Sequence, residues 1–299
     1  MTWEELIEKV RLVMDGRKQF MQKGKHYEDS YAATPKIETI YFINGVCVAR
    51  EGVTMYRKAF DVGNAYANAG QEIMLAIKYP HGFPQRDEYG NELYMCLHTN
   101  TYGKPDGANL WEDERNTFLL DEEEGFNQPG WTIYQSKIDR CLFWIKNGDH
   151  EAWMLVWTDD FDLVGTSQQI VDDITAIVAG KWKIKIVDET FMVGMNRRAY
   201  TSQDGERMVE LTMTAYVDNL VSMYEQEMAA AGWGTNANPE APTKPNEWLS
   251  MSDEVEEAES KEITQRGYMA VCGGLLWATR IFVETKVNIS NLCRVMSKP

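Results

Sequence analysis

Trp157-Thr158-Asp159-Asp160 lies between two short apolar runs, Ala152-Trp153-Met154-Leu155-Val156 and Phe161-Asp162-Leu163-Val164-Gly165. Runs this short, rich in aromatic and β-branched residues, read as strands. A break of a few polar residues between them reads as a hairpin. The hairpin tip then carries two adjacent carboxylates away from the core. Like charges that close repel each other, and a cation at the tip relieves them. A hard divalent ion bound through oxygens suits that position. The plain alternative is a solvated turn, in which Asp-Asp is common.

The rest of the chain sets the context for that tip. With 299 residues it is long enough for a substantial core and two or three subdomains. A hydrophobic share of 44% places it among globular proteins rather than disordered ones. No apolar run reaches the length of a membrane span, and Met1-Thr2-Trp3-Glu4-Glu5 lacks the basic-then-apolar order of a secretory signal. The chain is therefore expected to be cytoplasmic (particle-associated) or nuclear, not secreted and not in a membrane. Cys47, Cys96, Cys141, Cys272 and Cys293 are odd in number and scattered, which fits buried reduced thiols rather than disulfides or zinc ligands.

The net charge is −16 and the pI about 4.8. Phosphate binding rests on Lys and Arg, so this balance argues against tight nonspecific nucleic-acid binding. The charge is uneven, however. Acid concentrates at 112–124 and 253–262, whereas the first thirty residues hold Lys9, Arg11, Arg17, Lys18, Lys23 and Lys25.

Local pattern predicts a capping box at Thr2 and Glu5, a helix over 37–48 (a strand being the alternative) and a strand over 53–62 ending near Asp61. Hairpins and loops are expected over the Gly-, Pro- and Asp-rich segment 79–107. A helix is expected over 108–120, strands over 131–145 and 151–164, and a helix over 167–179 capped by Ser167. Strands return at 181–197. A long amphipathic helix is expected over 208–231, then a Pro-containing linker over 232–246 and further helix over 262–296.

A strand ending in Asp61, followed by a hairpin bearing Asp159 and Asp160, is the acid placement that two-metal phosphoryl transfer needs. Two Mg²⁺ ions can stabilise the attacking and leaving oxygens of an in-line displacement. Magnesium takes only one or two carboxylates from the protein, so few acids suffice if they come from neighbouring strands.

Ordered blocks along the chain resemble the reverse transcriptase of copia-type (Pseudoviridae-like) retrotransposons. Lys9-Val10-Arg11-Leu12-Val13 with Gly16 is similar to the family's Lys-Ala-Arg-Leu-Val-x-x-Gly. Lys25-His26-Tyr27-Glu28-Asp29-Ser30-Tyr31-Ala32 resembles Asp-Tyr-x-Glu-Thr-Phe-Ala. Phe60-Asp61-Val62-Gly63-Asn64-Ala65-Tyr66 resembles the first catalytic motif, and Tyr102-Gly103 with Trp111 the Leu-Tyr-Gly-Leu-Lys-Gln-Ala block. Asp139-Arg140-Cys141-Leu142-Phe143 resembles Asp-Pro-Cys-Leu-Phe, and Trp157-Thr158-Asp159-Asp160 stands for Tyr-Val-Asp-Asp. Phe191-Met192-Val193-Gly194-Met195 stands for Phe-Leu-Gly-Ile. The segments 273–280 and 290–299 are similar to the stretch just before the family's ribonuclease H domain.

The resemblance implies an α+β right-hand polymerase. Fingers would be 1–45 and 68–104, palm 46–67 and 105–198 (antiparallel strands backed by helices), and thumb with the start of the connection 199–299. It implies RNA-directed DNA polymerase activity. Asp61, Asp159 and Asp160 would hold Mg²⁺, with Mn²⁺ as the alternative. Lys9 and Arg11 would reach the triphosphate, and Tyr66 would stand under the sugar and exclude a 2′-hydroxyl. Residues 191–195 would lie near the primer strand. Implied partners are an RNA or DNA template with primer and deoxynucleoside triphosphates, in an oligomer or polyprotein context. By themselves Tyr66 also reads as a core aromatic, Lys9 and Arg11 as a solvated helix face, and Asp162 and Asp188 as surface acids.

The chain departs from the family at Asp15, where Lys is usual, and at Trp157, where Tyr is usual. It departs again at Lys104-Pro105-Asp106-Gly107-Ala108-Asn109, which replaces Leu-Lys-Gln-Ala-Pro-Arg. An acid near bound phosphate is costly if unscreened. A reverse-transcriptase-derived binding or assembly module without polymerase activity is therefore the rival expectation, and a non-templated nucleotidyltransferase a third.

Overall fold

The computed structural model describes residues 13–17, 21–49, 52–80, 82–121, 123, 125–126, 129–226 and 267–296. It divides into two compact units, one ending at Glu189 and the other beginning at Thr190. The expected capping box at Thr2 and the linker over 232–246 lie outside the described residues.

The first unit is built on a six-stranded sheet. Its strands are β1 (Tyr56–Val62), β4 (Trp131–Gln135), β5 (Leu142–Asn147), β6 (His150–Trp157), β7 (Asp160–Gly165) and β8 (Ile184–Val187), in the order β4-β5-β6-β7-β1-β8. Every neighbouring pair is antiparallel. Side chains alternate faces along each strand. One face therefore carries Phe60 and Phe161, whose rings stack with centroids 5.0 Å apart, together with Val62 and Leu163. Helices α3 (Gly107–Leu120) and α4 (Gln168–Lys181) supply Trp111, Phe118, Leu119, Ile170, Val171, Ile174 and Val178 to the same core. Trp182 fills the corner, edge-on to both Trp111 and Phe118.

Helix α4 follows its sequence closely. Ser167 is extended (φ −146) and its hydroxyl accepts from the Ile170 amide, as an N-cap does. Gly165 just before it leaves room for the helix, since a Cβ there would lie 2.8 Å from methyls of Ile170 and Val171.

The other face of the sheet carries Arg57, Ala59 and Asp61 and is met by α1 (Ile37–Ala49). Arg57 reaches α1 directly through Asn44 Oδ1 at 2.9 Å and Cys47 Sγ at 3.4 Å. Asp139 anchors the start of α1, where its carboxylate accepts from the Lys36 amide at 2.9 Å and from the Cys141 amide at 2.9 Å. That contact gives the Asp139-to-Phe143 block a structural reason. A separate hairpin pairs β2 (Gly70–Lys78) with β3 (Tyr94–Thr99). Only β3 falls in the expected hairpin segment. The short helix α2 (Ala65–Asn68) joins β1 to β2.

In the second unit, β9 (Phe191–Met192), β10 (Met195–Thr201) and β11 (Arg207–Thr212) form a three-stranded sheet. Over its described residues, 208–226, the segment expected as one helix is instead a strand followed by helix. Residues 207–212 pair with β10, and α5 runs over Thr214–Met223. The spacing of Leu211, Tyr216, Leu220 and Met223 spans the strand–helix boundary at Met213 and so imitates one helical face. Within the strand, exposed Met208 and Glu210 alternate with partly covered Val209 and Leu211.

The expected C-terminal helix is likewise two, α6 (Tyr268–Ala278) and α7 (Lys286–Cys293), joined by a turn containing a 3₁₀ segment at Val283–Thr285. Helices α5 and α6 pair closely. The Tyr216 hydroxyl donates to the Gly274 carbonyl at 3.2 Å, and a Cβ at Gly274 would lie 2.9 Å from Leu220.

Candidate active site

The β6–β7 hairpin closes through Thr158 and Asp159 alone, since Trp157 pairs with Asp160. A loop of two residues needs a positive φ where its twist matches that of the strands, and Thr158 adopts φ 55. A β-branched residue is strained there, and two contacts hold it. The Trp111 indole donates to the Thr158 carbonyl at 2.7 Å, and the Val62 amide donates to the Asp159 carbonyl at 2.8 Å. The tip is thus fixed from beneath by α3 and from the side by the end of β1.

Trp111 is fully buried. Trp111→Phe leaves the Thr158 carbonyl without its donor and opens space beneath the tip. A loss of about 2–3 kcal/mol is expected, read from the urea unfolding midpoint.

Asp61 and Asp160 face each other across β1 and β7. Directly opposed residues of an antiparallel pair lie on the same face, with Cβ atoms about 4.5–5.5 Å apart. Asp159 adjoins them at the tip. Burial, followed by the charges of Asp159 and Asp61, pushes the Asp160 carboxyl up to about 6 from its ordinary 3.8. Asp160 therefore senses both of its neighbours. Among the described residues no three Asp, Glu, His or Cys side chains converge as a ready-made ligand set. The oxygen-only donors and their mutual proximity fit a hard cation that brings most of its own ligands.

Tyr66 stands on α2, just after Asn64, which takes a left-handed conformation at φ 53. Its ring lies 4.7 Å from that of Tyr102, tilted by 44°. Burial first, then the charge of Asp159, raises the affinity of its hydroxyl for the proton. The structure thus gathers Tyr66, Asp159, Asp160 and Asp61 in one neighbourhood. Lys9 and Arg11 lie outside the described residues.

Lys185, which the sequence reading passed over, and Asp162, which it took for a surface acid, belong to this face. Lys185 on β8 is paired opposite Asp61, so its exposed side chain shares the face of the acids. Asp162 is not a surface acid. It is fully buried and held by Arg57 at 2.8 Å (Nε to Oδ1) and 2.6 Å (Nη2 to Oδ2). Asp188 is exposed, as read. The thiols are also not uniformly buried, for Cys96 is exposed.

The acids that depart from the family pattern are neutralised locally. Asp106 is buried and pairs with Lys104 at 2.9 Å, a contact across two positions. Asp15 is exposed and held by the Arg17 guanidinium, whose hydrogen bond keeps its carboxyl below the usual range. Glu112, from the first acidic cluster, is buried, accepting from the Ala33 amide at 2.6 Å and facing Arg140 at 3.2 Å.

A family described as "Reverse transcriptase (RNA-dependent DNA polymerase)" matches residues 3–232. The chain is similar to the Retrovirus-related Pol polyprotein from transposon RE2 of Arabidopsis thaliana, 26% identical over 178 residues, or 59% of this chain and 11% of that protein. It is similarly related to the Pol polyprotein from transposon RE1 of the same plant, 25% identical over 182 residues, or 60% of this chain and 11% of that protein. The matched stretch is thus about a tenth of either relative. Among the described residues no helix is long and apolar enough to cross a membrane. With a tip of paired aspartates facing a third across the sheet, the chain belongs to the reverse transcriptase family, in its copia-type branch.

Proposed function

We propose that this chain is an RNA-directed DNA polymerase that adds deoxynucleotides to a primer 3′-hydroxyl under the direction of a template. The observation that carries this reading is the register of Asp61 against Asp160, with Asp159 beside them and burial, then the charges of both neighbours, raising the proton affinity of Asp160. The six-stranded sheet would be the core of the palm (46–67 and 105–198), with fingers from 1–45 and 68–104. The thumb and the start of the connection would come from 199–299.

When bound, a pair of Mg²⁺ or Mn²⁺ ions supplies charge stabilisation for the attacking and leaving oxygens. Asp61, Asp159 and Asp160 would hold those ions, with the contacts at the hairpin tip fixing Asp159 beside Asp160. Tyr66, backed by Tyr102, forms a wall that accepts a deoxyribose and clashes with a 2′-hydroxyl. Lys9 and Arg11 orient the triphosphate, as point charge and fork respectively. The exposed ammonium of Lys185 adds positive charge on the same face. Because Asp15 and Asp106 already have cationic partners, neither presents an unscreened acid to phosphate. That favours a working polymerase over a binding module that has lost activity.

Primer extension on an RNA template, with Mg²⁺ or Mn²⁺, tests the reading. Extension that depends on template and metal is expected. Extension no greater than that of an Asp159→Asn variant rejects it, and addition without template points to the non-templated transferase.

A further inference from the structure

Cys272 on α6 and Cys293 at the end of α7 are distant in sequence and meet in the second unit. The Cys293 thiol approaches the Cys272 carbonyl, Sγ to O 3.9 Å, and the two side chains are within hydrogen-bonding reach of each other. Tyr268 lies one helical turn before Cys272, on the same side of α6. Its hydroxyl donates to the Leu292 carbonyl at 3.0 Å, beside Cys293, and also lies within reach of the Cys272 sulfur. The two thiols differ in access. Cys272 is only 2% exposed, whereas Cys293 is half-buried.

We propose that Cys272 and Cys293 form an oxidation site that closes reversibly as a disulfide between α6 and α7. The oxidant class is a hydroperoxide, small enough to meet Cys293 at the surface. The Cys293 sulfur attacks the peroxide oxygen, the O–O bond breaks, and hydrogen peroxide leaves one oxygen on sulfur as a sulfenic acid and the other as water. The Cys272 sulfur then attacks the Cys293 sulfur. The S–O bond breaks, and hydroxide departs with the Cys272 proton as a second water. Two thiols lose two electrons in all, and one peroxide gains them.

The order follows from access and charge. Burial holds the Cys272 thiol above its ordinary range, while the Tyr268 hydroxyl works in the opposite direction by stabilising a thiolate. Cys272 is thus suited to resolve an oxidised neighbour rather than to meet the oxidant. The linkage would also bear on a segment of the family pattern. Trp277, on the same helix as Cys272, packs against Gly194 of the Phe191-to-Met195 block, with its indole nitrogen 3.4 Å from where a Cβ would stand.

The test is thiol counting and peptide mapping on the full chain after treatment with hydrogen peroxide. Free thiols under denaturing conditions should fall from five to three, with a linked Cys272–Cys293 peptide that dithiothreitol releases. Cys96→Ser should leave that linkage unchanged, and Cys293→Ser should leave Cys272 reduced. The proposal is overturned if oxidation stops at exposed Cys96. It is equally overturned if Cys293 advances to higher oxides while Cys272 remains alkylatable. The wild-type map decides the matter even where the Cys293 variant fails to fold.

Discussion

An Asp61→Asn substitution is expected to cut primer extension by roughly 10²–10³-fold while leaving the protein no less stable. The two effects have one cause. Asp61 faces Asp160 across the sheet and adds to the repulsion that Asp160 already feels from Asp159. Removing its charge takes away an oxygen proposed to hold metal and relieves that repulsion together. A variant that merely misfolded would lose activity and stability alike, so measuring both separates the cases.

The pH dependence follows from Asp160. Its carboxyl is raised to about 6 in the folded protein against an ordinary 3.8. Between those values the folded state holds more proton than the unfolded state, so stability falls as pH rises through that window. Above it the penalty is complete, and below it the penalty is absent. Asp160→Asn removes the ionisation. At pH 8 without divalent metal it should raise Tm by about 2–4 °C, taking on the order of 1 kcal/mol after solvent screening. At pH 4 the gain should vanish. Added Mg²⁺ should raise the wild-type Tm at pH 8 more than that of the variant, because the ion relieves the same repulsion. An equal gain at both pH values would show that the acids are not coupled.

The parts of this site that could be read in the sequence are those whose cause is local. The alternation of 151–164 and the single polar break fix the β6–β7 hairpin, and Ser167 before an apolar period of helical spacing marks α4. What escaped reading depends on distant partners. Nothing near Asp162 marks it as buried, since its counter-ion Arg57 is 105 positions away. Lys185 becomes a neighbour of Asp61 only through the pairing of β1 with β8. The error at β11 has a different origin. Leu211 and Tyr216 belong to different elements, and their spacing mimicked one helix because the boundary at Met213 carries no Gly or Pro to mark it. Asp15 and Asp106 are a further case. Their type suggested phosphate repulsion, whereas cations two residues away neutralise both.

Arg57→Met is expected to destabilise the protein by about 3–5 kcal/mol, the cost of leaving one buried charge without its partner. Asp162 is fully buried, and Arg57 is its bidentate counter-ion. Burial opposes the charge of the guanidinium, but Asp162 more than compensates and holds Arg57 in its charged form. The same guanidinium joins the sheet to α1 through Asn44 and Cys47. An apolar side chain at 57 loses all of these contacts while Asp162 stays in place. The double variant Arg57→Met with Asp162→Leu should recover most of the loss, because apolar residues of similar volume replace buried ion pairs at little cost. Urea unfolding of the two single variants and the double measures the coupling. A single-variant loss below about 1 kcal/mol would mark the pair as energetically equivalent to a surface contact. The pair also bears on the chemistry. Asp162 lies on the same face as Asp160, one alternation further along β7, yet its charge is consumed by Arg57. Asp61 and Asp160 on that face, with Asp159 at the adjoining tip, are the proposed metal ligands, so the double variant should keep its primer extension within a few-fold of the parent.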